Sequence, residues 1–299
     1  MKQHRTLSFP LLMSLICLCP IGSCATDEEQ LQAVFREKGF HGMALKQRIE
    51  DVSKAFLGTP YKRGPMGEGP KGEFERKPLM NIGAVDCTTF VEQVMALALE
   101  GNISEAESTL QGIRYKNGVI SYETRNHFPE ADWIPNNIAA GYIRDITREV
   151  AGNKTRTVTR TISKAKWYSE KTEKDLWGFD NLSPEKRTEL VIKWRELGNK
   201  FPDEKITLDY LPLQDLPEFL NKIPSGAILN VVREPSKDER APLLVSHQMF
   251  LIDTPKGKVV RDAVINKSVM DIPALQYFKV YAGVKWPVLG VNINEVHHP

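Results

Sequence analysis

The chain is predicted to be an α+β protein, because helical and strand patterns occupy different parts of its 299 residues. Apolar residues recur at helical spacing within residues 27–57 and again between Thr88 and Leu99. Beyond Ala227 the pattern changes to short apolar runs that are typical of strands. The length suffices for one large core, and we expect residues 26–299 to form a single domain after an N-terminal signal.

The first 25 residues have the three parts of an export signal. These are a charged start, an apolar core from Phe9 to Ile21 that is too short to span a membrane, and a small-residue exit that ends at Ala25. The sequence Ile21-Gly22-Ser23-Cys24 also resembles a bacterial lipobox, which would place a lipid on Cys24, and ordinary cleavage after Ala25 fits almost as well. We therefore expect export to the periplasm or cell envelope, with a lipid anchor through Cys24 as one alternative.

The charge balance argues against one class of partner. The whole chain has 40 Lys and Arg against 38 Asp and Glu, and removal of residues 1–23 takes away Lys2 and Arg5, which leaves 38 residues of each sign. A protein without a net positive charge is not expected to bind nucleic acid or other polyanions in general.

The first half of the chain predicts helices joined by loops. Residues 27–57 predict one or two helices, and the Gly- and Pro-rich residues 58–72 predict a loop that leads towards the next helix. A short helix is expected over residues 104–112. A hairpin is expected from Arg114 to Tyr122, with its turn at Lys116-Asn117-Gly118.

The second half of the chain predicts mainly strands. The mixed aromatic and polar residues 125–137 predict a loop, and the alternation in residues 154–163 predicts a strand with a solvated basic face. Ser183 and Pro184 are typical of a helix start. The remaining predicted elements are a short helix from Gln214 to Lys222 and strands from Ala227 to Val232, Leu243 to Ile252, Lys258 to Ile265 and Phe278 to Val284.

Cys87 is the first candidate for catalysis. The other three cysteines belong to the predicted signal, so Cys87 is expected to lack both a disulfide partner and a cysteine-based zinc site. Asp86 is a good N-cap, which places Cys87 in the first turn of a helix that ends at Gly101. The free N–H groups and the positive end of the helix dipole there favour a thiolate. Without a partner, a small buried core residue is an equally good interpretation.

His247 is the candidate partner of Cys87. It lies on the apolar face of the predicted strand from Leu243 to Ile252, where a polar ring needs a hydrogen-bond partner. If residues 253–256 form the turn, His247 stands directly opposite Asp262, close enough for a carboxylate to meet an imidazole. That contact would leave the other ring nitrogen free to act as a base. A slip of one residue would separate the pair, and a purely structural pair is the alternative.

Together these motifs resemble those of the NlpC-like papain-fold cell-wall hydrolases. The matching residues are Leu57-Gly58-Thr59-Pro60-Tyr61, Asp86-Cys87-Thr88-Thr89-Phe90-Val91-Glu92, Ser246-His247 and Arg261-Asp262-Ala263. The sequence is most similar to a branch of bacterial N-acetylmuramoyl-L-alanine amidases that has a long insertion between the cysteine and the histidine. Here these residues are 160 positions apart, and the insertion is expected at about residues 102–206.

The resemblance implies a papain-like α+β fold in which the helix of the nucleophile packs on a small antiparallel sheet. It implies hydrolysis of the N-acetylmuramoyl-L-alanine amide bond in peptidoglycan or its fragments, with Cys87 as nucleophile and His247 as general base and then acid. Asp262 would orient His247, and Tyr61 would lie beside Cys87 and help to hold the oxyanion. This chemistry requires neither a metal nor an organic cofactor.

Three residues of the predicted 125–137 loop are candidate substrate contacts. Arg125 is suited to a carboxylate and Trp133 to a sugar face, and His127 lies between them in the sequence. A role of all three as loop anchors fits equally well.

The chain also departs from the pattern of the family it resembles. It has Asp262 where His is frequent, Gln248-Met249 where Gly commonly follows the base, and Ala227 where an acidic residue is common. These departures bear on the substrate more than on the chemistry. The alternative functions are a peptidase that cuts within the stem peptide, a papain-like acyltransferase, and a noncatalytic cell-wall-binding lipoprotein. The oligomeric state does not follow from the sequence.

Overall fold

The structure, a computed structural model, describes residues 27–37, 39–235 and 243–299. Within these ranges the α-helices are α1 (Asp27–Arg36), α2 (Leu45–Ala55), α3 (Cys87–Glu100), α4 (Ile103–Arg114), α5 (Ile134–Ala139), α6 (Thr147–Ala151), α7 (Lys164–Ser169), α8 (Pro184–Leu197), α9 (Leu216–Phe219) and α10 (Ala274–Lys279). The strands are β1 (Ile143–Asp145), β2 (Arg156–Ile162), β3 (Glu204–Pro212), β4 (Ala227–Arg233), β5 (Val245–Thr254), β6 (Gly257–Ala263), β7 (Val269–Pro273) and β8 (Val288–Val296).

The strands of the described residues form one antiparallel sheet of eight strands. Its order is β2-β3-β8-β4-β5-β6-β7. β1 lies on the same side of β8 as β3 and pairs with residues 294–296, whereas β3 pairs with residues 290–291. Every pairing is antiparallel. The predicted α+β class with an antiparallel sheet is therefore confirmed.

Apolar side chains cover both faces of the sheet. One face carries α2, α3 and α4, and there the ring of Phe90 on α3 meets Phe56 and Phe250 edge-on, with centroids 5.7 Å from each. The other face carries α9 and α10. All residues from Thr89 to Leu99 of α3 are buried, and burial of a single Phe side chain contributes about 2 kcal/mol. Helix α3 is therefore held firmly between the sheet and its neighbouring helices.

Most predicted elements are present in the structure. The predicted helix between Asp86 and Gly101 is α3, and Gly101 takes the left-handed φ of 72° that the end of this helix requires. Ser183 caps α8 as expected, through a hydrogen bond from the backbone N–H of Lys186. The strand predicted in residues 154–163 is β2, and the first three strands predicted beyond Ala227 are β4, β5 and β6.

The hairpin predicted between Arg114 and Tyr122 is wrong. Helix α4 continues to Arg114, and the Lys116–Gly118 turn is a short 3₁₀ turn in which Asn117 has a φ of 58°. The turn signal was therefore real, but the strands beside it do not form. Val119 is 56% exposed and Ile120 is 41% exposed, so the apolar residues directly after the turn are not buried as the second strand of a hairpin would require.

Two further predictions are wrong because two short helical segments mix aromatic and polar residues and show no clear helical period in the sequence. The loop predicted over residues 125–137 contains a π-helical turn, Pro129–Trp133, that continues into α5. The strand predicted from Phe278 to Val284 begins inside α10, whose buried residues Ala274, Tyr277 and Phe278 have helical spacing. Strands β1, β3, β7 and β8 were not predicted.

The N-terminal predictions concern residues outside the described ranges. They are the export signal of residues 1–25 and the lipid on Cys24. Between residues 27 and 299, apart from the gaps at 38 and 236–242, no helix combines the length and the apolar character needed to cross a membrane. The segment predicted as an insertion, residues 102–206, contributes β1 and β2 to the common sheet, and its boundaries stay a prediction.

Candidate active site

Cys87 is the first residue of α3, and Asp86 fixes the start of that helix. The Asp86 carboxylate accepts the backbone N–H of Thr89 at 2.8 Å, and the Thr89 hydroxyl accepts the backbone N–H of Asp86 at 2.8 Å. The second carboxylate oxygen of Asp86 accepts the backbone N–H of Gly64 at 2.9 Å, so one residue ties the glycine-rich loop to the helix. Cys87 is partly exposed at the positive end of α3, as predicted.

His247 on β5 and Asp262 on β6 form a hydrogen-bonded pair. Nε2 of His247 lies 2.7 Å from Oδ1 of Asp262, and the two side chains are only 11% and 3% exposed. An ionised carboxylate can only accept, so Nε2 carries the proton. Nδ1 is then the ring nitrogen that is available to a second partner.

The pair forms in a different strand register from the one predicted. The four-residue turn at 253–256 is wrong, because Thr254 pairs with Gly257 and the turn has two residues. Gly257 supplies the left-handed φ of 108° at this tight turn. The register therefore moves by two positions, and His247 and Asp262 are diagonal neighbours. Because side chains alternate along a strand, a shift of two keeps them on one face and within reach.

The surroundings of His247 favour its imidazolium form. Burial alone would lower the pKa of His247, but the negative charge of Cys87 and the hydrogen bonds with Asp262 and Cys87 raise this pKa well above its ordinary value. The structure therefore brings the two predicted partners together. A thiolate beside an imidazolium is the form in which a cysteine acts as a nucleophile.

Tyr61 lies beside this pair, where the resemblance places it. Its backbone N–H donates to Lys267 O at 2.9 Å, and its segment pairs in parallel with Val85, two residues before Cys87. Burial, followed by the negative charges of Cys87 and Asp86, raises the pKa of Tyr61 to about 12. The phenol therefore stays protonated and can donate a hydrogen bond near the thiol.

Tyr277 is a residue of the site that the sequence did not indicate. Its hydroxyl donates to Oδ2 of Asp262 at 2.9 Å, so both oxygens of this carboxylate have a partner. The interpretation of Phe278 to Val284 as a strand hid this contact, because it separated Tyr277 from the helix on which it lies. The signal that could have found it is the pair Tyr277 and Tyr281, which are four residues apart.

Arg125 is held inside the protein by two glutamates. Its guanidinium forms ion pairs with Glu68, at 3.2 Å, and with Glu75, and donates to Met66 O at 3.2 Å. Burial lowers the pKa of Arg125, but the charges of Glu75 and Glu68 outweigh this effect and raise it. A guanidinium occupied in this way is not available to a substrate carboxylate, so the geometry favours the loop-anchor interpretation.

His127 and Trp133 are also engaged within the protein. Nε2 of His127 donates to Tyr122 O at 2.8 Å, and its ring lies 4.2 Å from that of Tyr122. Burial, together with the charge of Arg125, lowers the pKa of His127 well below its ordinary value. Trp133 is completely buried, and its indole N–H donates to Glu92 at 3.2 Å. Trp133 therefore presents no face to a sugar, contrary to the predicted contact.

Glu130 fixes the start of the strand that carries His247. It is 4% exposed, and its two carboxylate oxygens accept the backbone N–H groups of Leu244 at 2.5 Å and Val245 at 3.3 Å. Burial raises the pKa of Glu130 to about 7, although those N–H donors oppose the shift. Sequence reasoning missed this residue because nothing in its local pattern distinguishes it from a surface glutamate.

The raised pKa of Glu130 predicts a pH-dependent stability. The folded protein binds this proton more tightly than the unfolded chain, so the contribution is fully present below pH 4.5 and is lost as the pH rises through about 7. Relative to Glu130→Gln, the native protein should lose on the order of 3 kcal/mol of unfolding free energy between pH 4.5 and 7. Urea unfolding of both proteins across this range measures the difference. Glu196→Gln, at an exposed position, is the control, and parallel pH curves for native protein and Glu130→Gln would contradict the assignment.

Comparison with known proteins places the chain in a family. The sequence model of the AmiA-like family, described as N-acetylmuramoyl-L-alanine amidase-like, matches residues 51–284, which include Tyr61, Cys87, His247 and Asp262. Among curated protein sequences, none matches the chain.

Several solved structures share the fold. A protein from Legionella pneumophila str. Philadelphia 1 has a TM-score of 0.82 and 26% identity, over 92% of this chain and 97% of that one. An N-acetylmuramoyl-L-alanine amidase from Bacteroides uniformis has a TM-score of 0.60 and 25% identity, over 84% and 99%. A Bacteroides fragilis protein, provisionally described as a xylanase, has a TM-score of 0.58 and 25% identity, over 81% and 98%. Because the family match spans most of the chain, the protein belongs to the AmiA-like, N-acetylmuramoyl-L-alanine amidase-like family.

Proposed function

We propose that the protein is an exported cysteine amidase that hydrolyses the bond between N-acetylmuramic acid and L-alanine in peptidoglycan or its fragments. The observation that carries the proposal is the contact of Cys87, at the start of α3, with the His247–Asp262 pair. Membership of an amidase-like family supplies the reaction class. The thiol, the imidazole and the carboxylate supply the groups that such a reaction needs.

The proposed reaction has two steps. In the first, Sγ of Cys87 attacks the lactyl carbonyl, the C–N bond breaks, and the proton of His247 passes to the leaving amine of L-alanine. In the second, water attacks the thioester while His247 takes its proton, which frees the sugar carboxylate and returns the thiolate. The oxyanion formed in both steps would be held by the Cys87 backbone N–H and the Tyr61 hydroxyl.

We also propose that the fold is a member of the NlpC-like papain class. In support, the nucleophile begins a helix, that helix packs on an antiparallel sheet, and the histidine lies on a strand which that helix contacts. His247 has its Nε2 bound to the carboxylate, which leaves Nδ1 for the thiol. A Cys–His pair with a third orienting group is the arrangement expected of this class.

The alternative functions differ in whether they need the catalytic groups of Cys87, His247 and Asp262. A peptidase within the stem peptide or an acyltransferase would use the same three residues, and only the acyl donor or acceptor would differ. A noncatalytic wall-binding lipoprotein would have no use for an imidazolium beside the thiol. Glycoside hydrolysis needs two free carboxyl groups across the bond, but Asp86 caps α3 and Asp262 is bound by His247 and Tyr277. The site therefore fits a cysteine enzyme that transfers an acyl group, and membership of the amidase-like family favours the amidase among these.

Product analysis on a defined muropeptide tests the proposed function. The purified protein should release a stem peptide with a free L-alanine amine, together with the muramic acid sugar, as identified by mass spectrometry. Treatment with iodoacetamide should stop the reaction, and dialysis against EDTA should leave its rate within about twofold because the chemistry uses a thiol. Shortened stem peptides that keep L-alanine on the sugar would contradict the proposal and indicate the peptidase instead.

Export is a separate prediction that rests on the Phe9 to Ile21 core and the small-residue exit. We expect the mature protein to begin at Cys24 with a lipid, or at Thr26 without one. Intact-mass spectrometry of the protein from its native cell envelope distinguishes the two, and Cys24→Ser should abolish the lipidated form alone. Full-length protein with Met1, found only in the cytoplasm, would contradict export.

A further inference from the structure

We propose that Tyr277 is a positioning residue that holds Asp262 in the orientation that His247 requires. This inference rests on the proposed function and deepens it, because it adds a fourth residue to the same site. Tyr277 lies on α10, which packs on the face of the sheet opposite to α3. The support for the histidine therefore comes from the other side of the sheet.

The geometry around Asp262 shows how the carboxylate is fixed. The Tyr277 hydroxyl donates to Oδ2 at 2.9 Å while Nε2 of His247 donates to Oδ1 at 2.7 Å. Rotation of the Asp262 carboxylate about its bond to Cβ would break both hydrogen bonds. Asp262 is 2% exposed and Tyr277 is 7% exposed, so bulk water has little access with which to replace either donor.

The charge state of Tyr277 suits this role. Burial, followed by the negative charge of Asp262, raises the pKa of Tyr277 far above its ordinary value. The phenol therefore stays neutral at pH values at which an exposed tyrosine would ionise. It therefore remains a hydrogen-bond donor to Oδ2 of Asp262.

Tyr277 is itself held by a series of contacts that connects it to β5, the strand of His247. Its hydroxyl lies 3.2 Å from the Tyr281 hydroxyl, and the guanidinium of Arg233 stands over the Tyr281 ring at 5.4 Å. Nε of Arg233 donates at 2.9 Å to the hydroxyl of Ser246, the residue before His247. These contacts close a ring through α10, β4 and β5, which restricts the movement of the Tyr277 hydroxyl.

A core tyrosine whose hydroxyl merely needs a partner is the competing interpretation. The two differ in their effect on His247. If Tyr277 positions Asp262, its removal lets the carboxylate rotate, and this rotation weakens the hydrogen bond that helps to raise the pKa of His247. If the contact is only structural, stability falls and the pKa of His247 stays where it is.

The test is the rate at which iodoacetamide alkylates Cys87 as a function of pH, followed on the Cys87 peptide by mass spectrometry. This readout reports the thiolate–imidazolium pair and requires no substrate, so it decides the role of Tyr277 even if the protein does not cleave peptidoglycan. Tyr277→Phe is compared with native protein. The matched control is Tyr115→Phe, which removes another buried hydroxyl, one that donates to Gly67 O at 3.0 Å.

In Tyr277→Phe, the pH at which the alkylation rate responds to loss of the imidazolium proton should fall by at least about 0.5 unit. The profile of Tyr115→Phe should match that of native protein. With a muropeptide substrate, kcat should fall about tenfold with KM within twofold, because a hydrogen bond to a charged group is lost. In an Asp262→Asn background the same change should have no further effect, since Tyr277 acts through Asp262.

Coincident pH profiles for Tyr277→Phe and native protein would overturn the proposal, and so would a shift of this response to higher pH. If Tyr277→Phe does not fold, Tyr281→Phe decides the question, because it removes only the outer hydroxyl of the chain of contacts. It should move the same response in the same direction by a smaller amount. No movement in folded Tyr281→Phe would then count against the proposal.

Discussion

Cys87→Ala should abolish hydrolysis while the protein keeps its fold. The loss of rate should be on the order of 10⁴-fold or more, because removal of a catalytic nucleophile eliminates the covalent step and not just one contact. The fold should survive because Cys87 is partly exposed and its hydrogen-bond neighbour besides His247 is the Thr88 hydroxyl, 3.9 Å away. We expect the free energy of unfolding to change by less than about 1 kcal/mol.

The measurement compares the initial rate of muropeptide hydrolysis with the melting temperature of the same samples. Cys87→Ser keeps the size of the side chain but replaces the thiol by a hydroxyl that does not ionise in this range, so it should be nearly as inactive. Ser108→Ala, at an exposed position of α4, serves as the control and should behave as native protein. Hydrolysis at the native rate by folded Cys87→Ala would end the cysteine mechanism.

Asp262→Asn should reduce turnover by about 10²-fold or more, with a smaller effect on KM. The substitution keeps the shape of the side chain but removes the charge that helps to raise the pKa of His247. An amide can also present an N–H to Nε2, which favours the wrong tautomer of the imidazole. Asp262→His should retain more activity than Asp262→Asn, because a neutral imidazole can accept the proton of Nε2 and fill the orienting role.

The three proteins are compared by kcat at matched folding, judged by thermal melts. Asp271→Asn is the matched control, because Asp271 is a carboxylate on the adjacent strand that pairs with Arg261 and does not contact His247. It should lose stability rather than turnover. A native kcat in Asp262→Asn would show that a different residue orients His247.

The sequence predicted the helix of the nucleophile well because every signal for it is local. The cap, the apolar stripe and the terminal glycine lie within sixteen consecutive residues, from Asp86 to Gly101, and each acts through neighbours in the chain. Helix α10 and the π-helical turn before α5 depend instead on contacts with distant parts of the chain. Their short lengths leave too few turns for a period to be recognised.

The contact between His247 and Asp262 was predicted for a partly wrong reason. The turn was placed two residues too long, but an even shift preserves which face of the sheet a side chain occupies. Alternation along the strands therefore gave the correct pair even though the register was wrong. Glu130 reaches the strand of His247 from far away in the sequence, so no local pattern could have indicated it, whereas Tyr277 was missed because Phe278 to Val284 was interpreted as a strand.

For the predicted substrate contacts, the sequence indicated suitable residue types but the wrong partners. Arg125 and Trp133 have side chains that often bind ligands, and the sequence placed both on a loop. In the structure each has a buried carboxylate partner, Glu75 with Glu68 for the arginine and Glu92 for the tryptophan. Residue type indicates what a side chain can bind, but only the fold determines whether its partner is a ligand or another part of the protein.

Trapping of the covalent intermediate tests the central claim most directly. The protein is mixed with excess muropeptide, quenched in acid within milliseconds, digested, and examined by mass spectrometry for an adduct on the Cys87 peptide. We predict a thioester between Sγ of Cys87 and the lactyl group of N-acetylmuramic acid, so the added mass is that of the sugar without its stem peptide. An adduct that contains stem-peptide residues, or an adduct on a residue other than Cys87, would contradict the account.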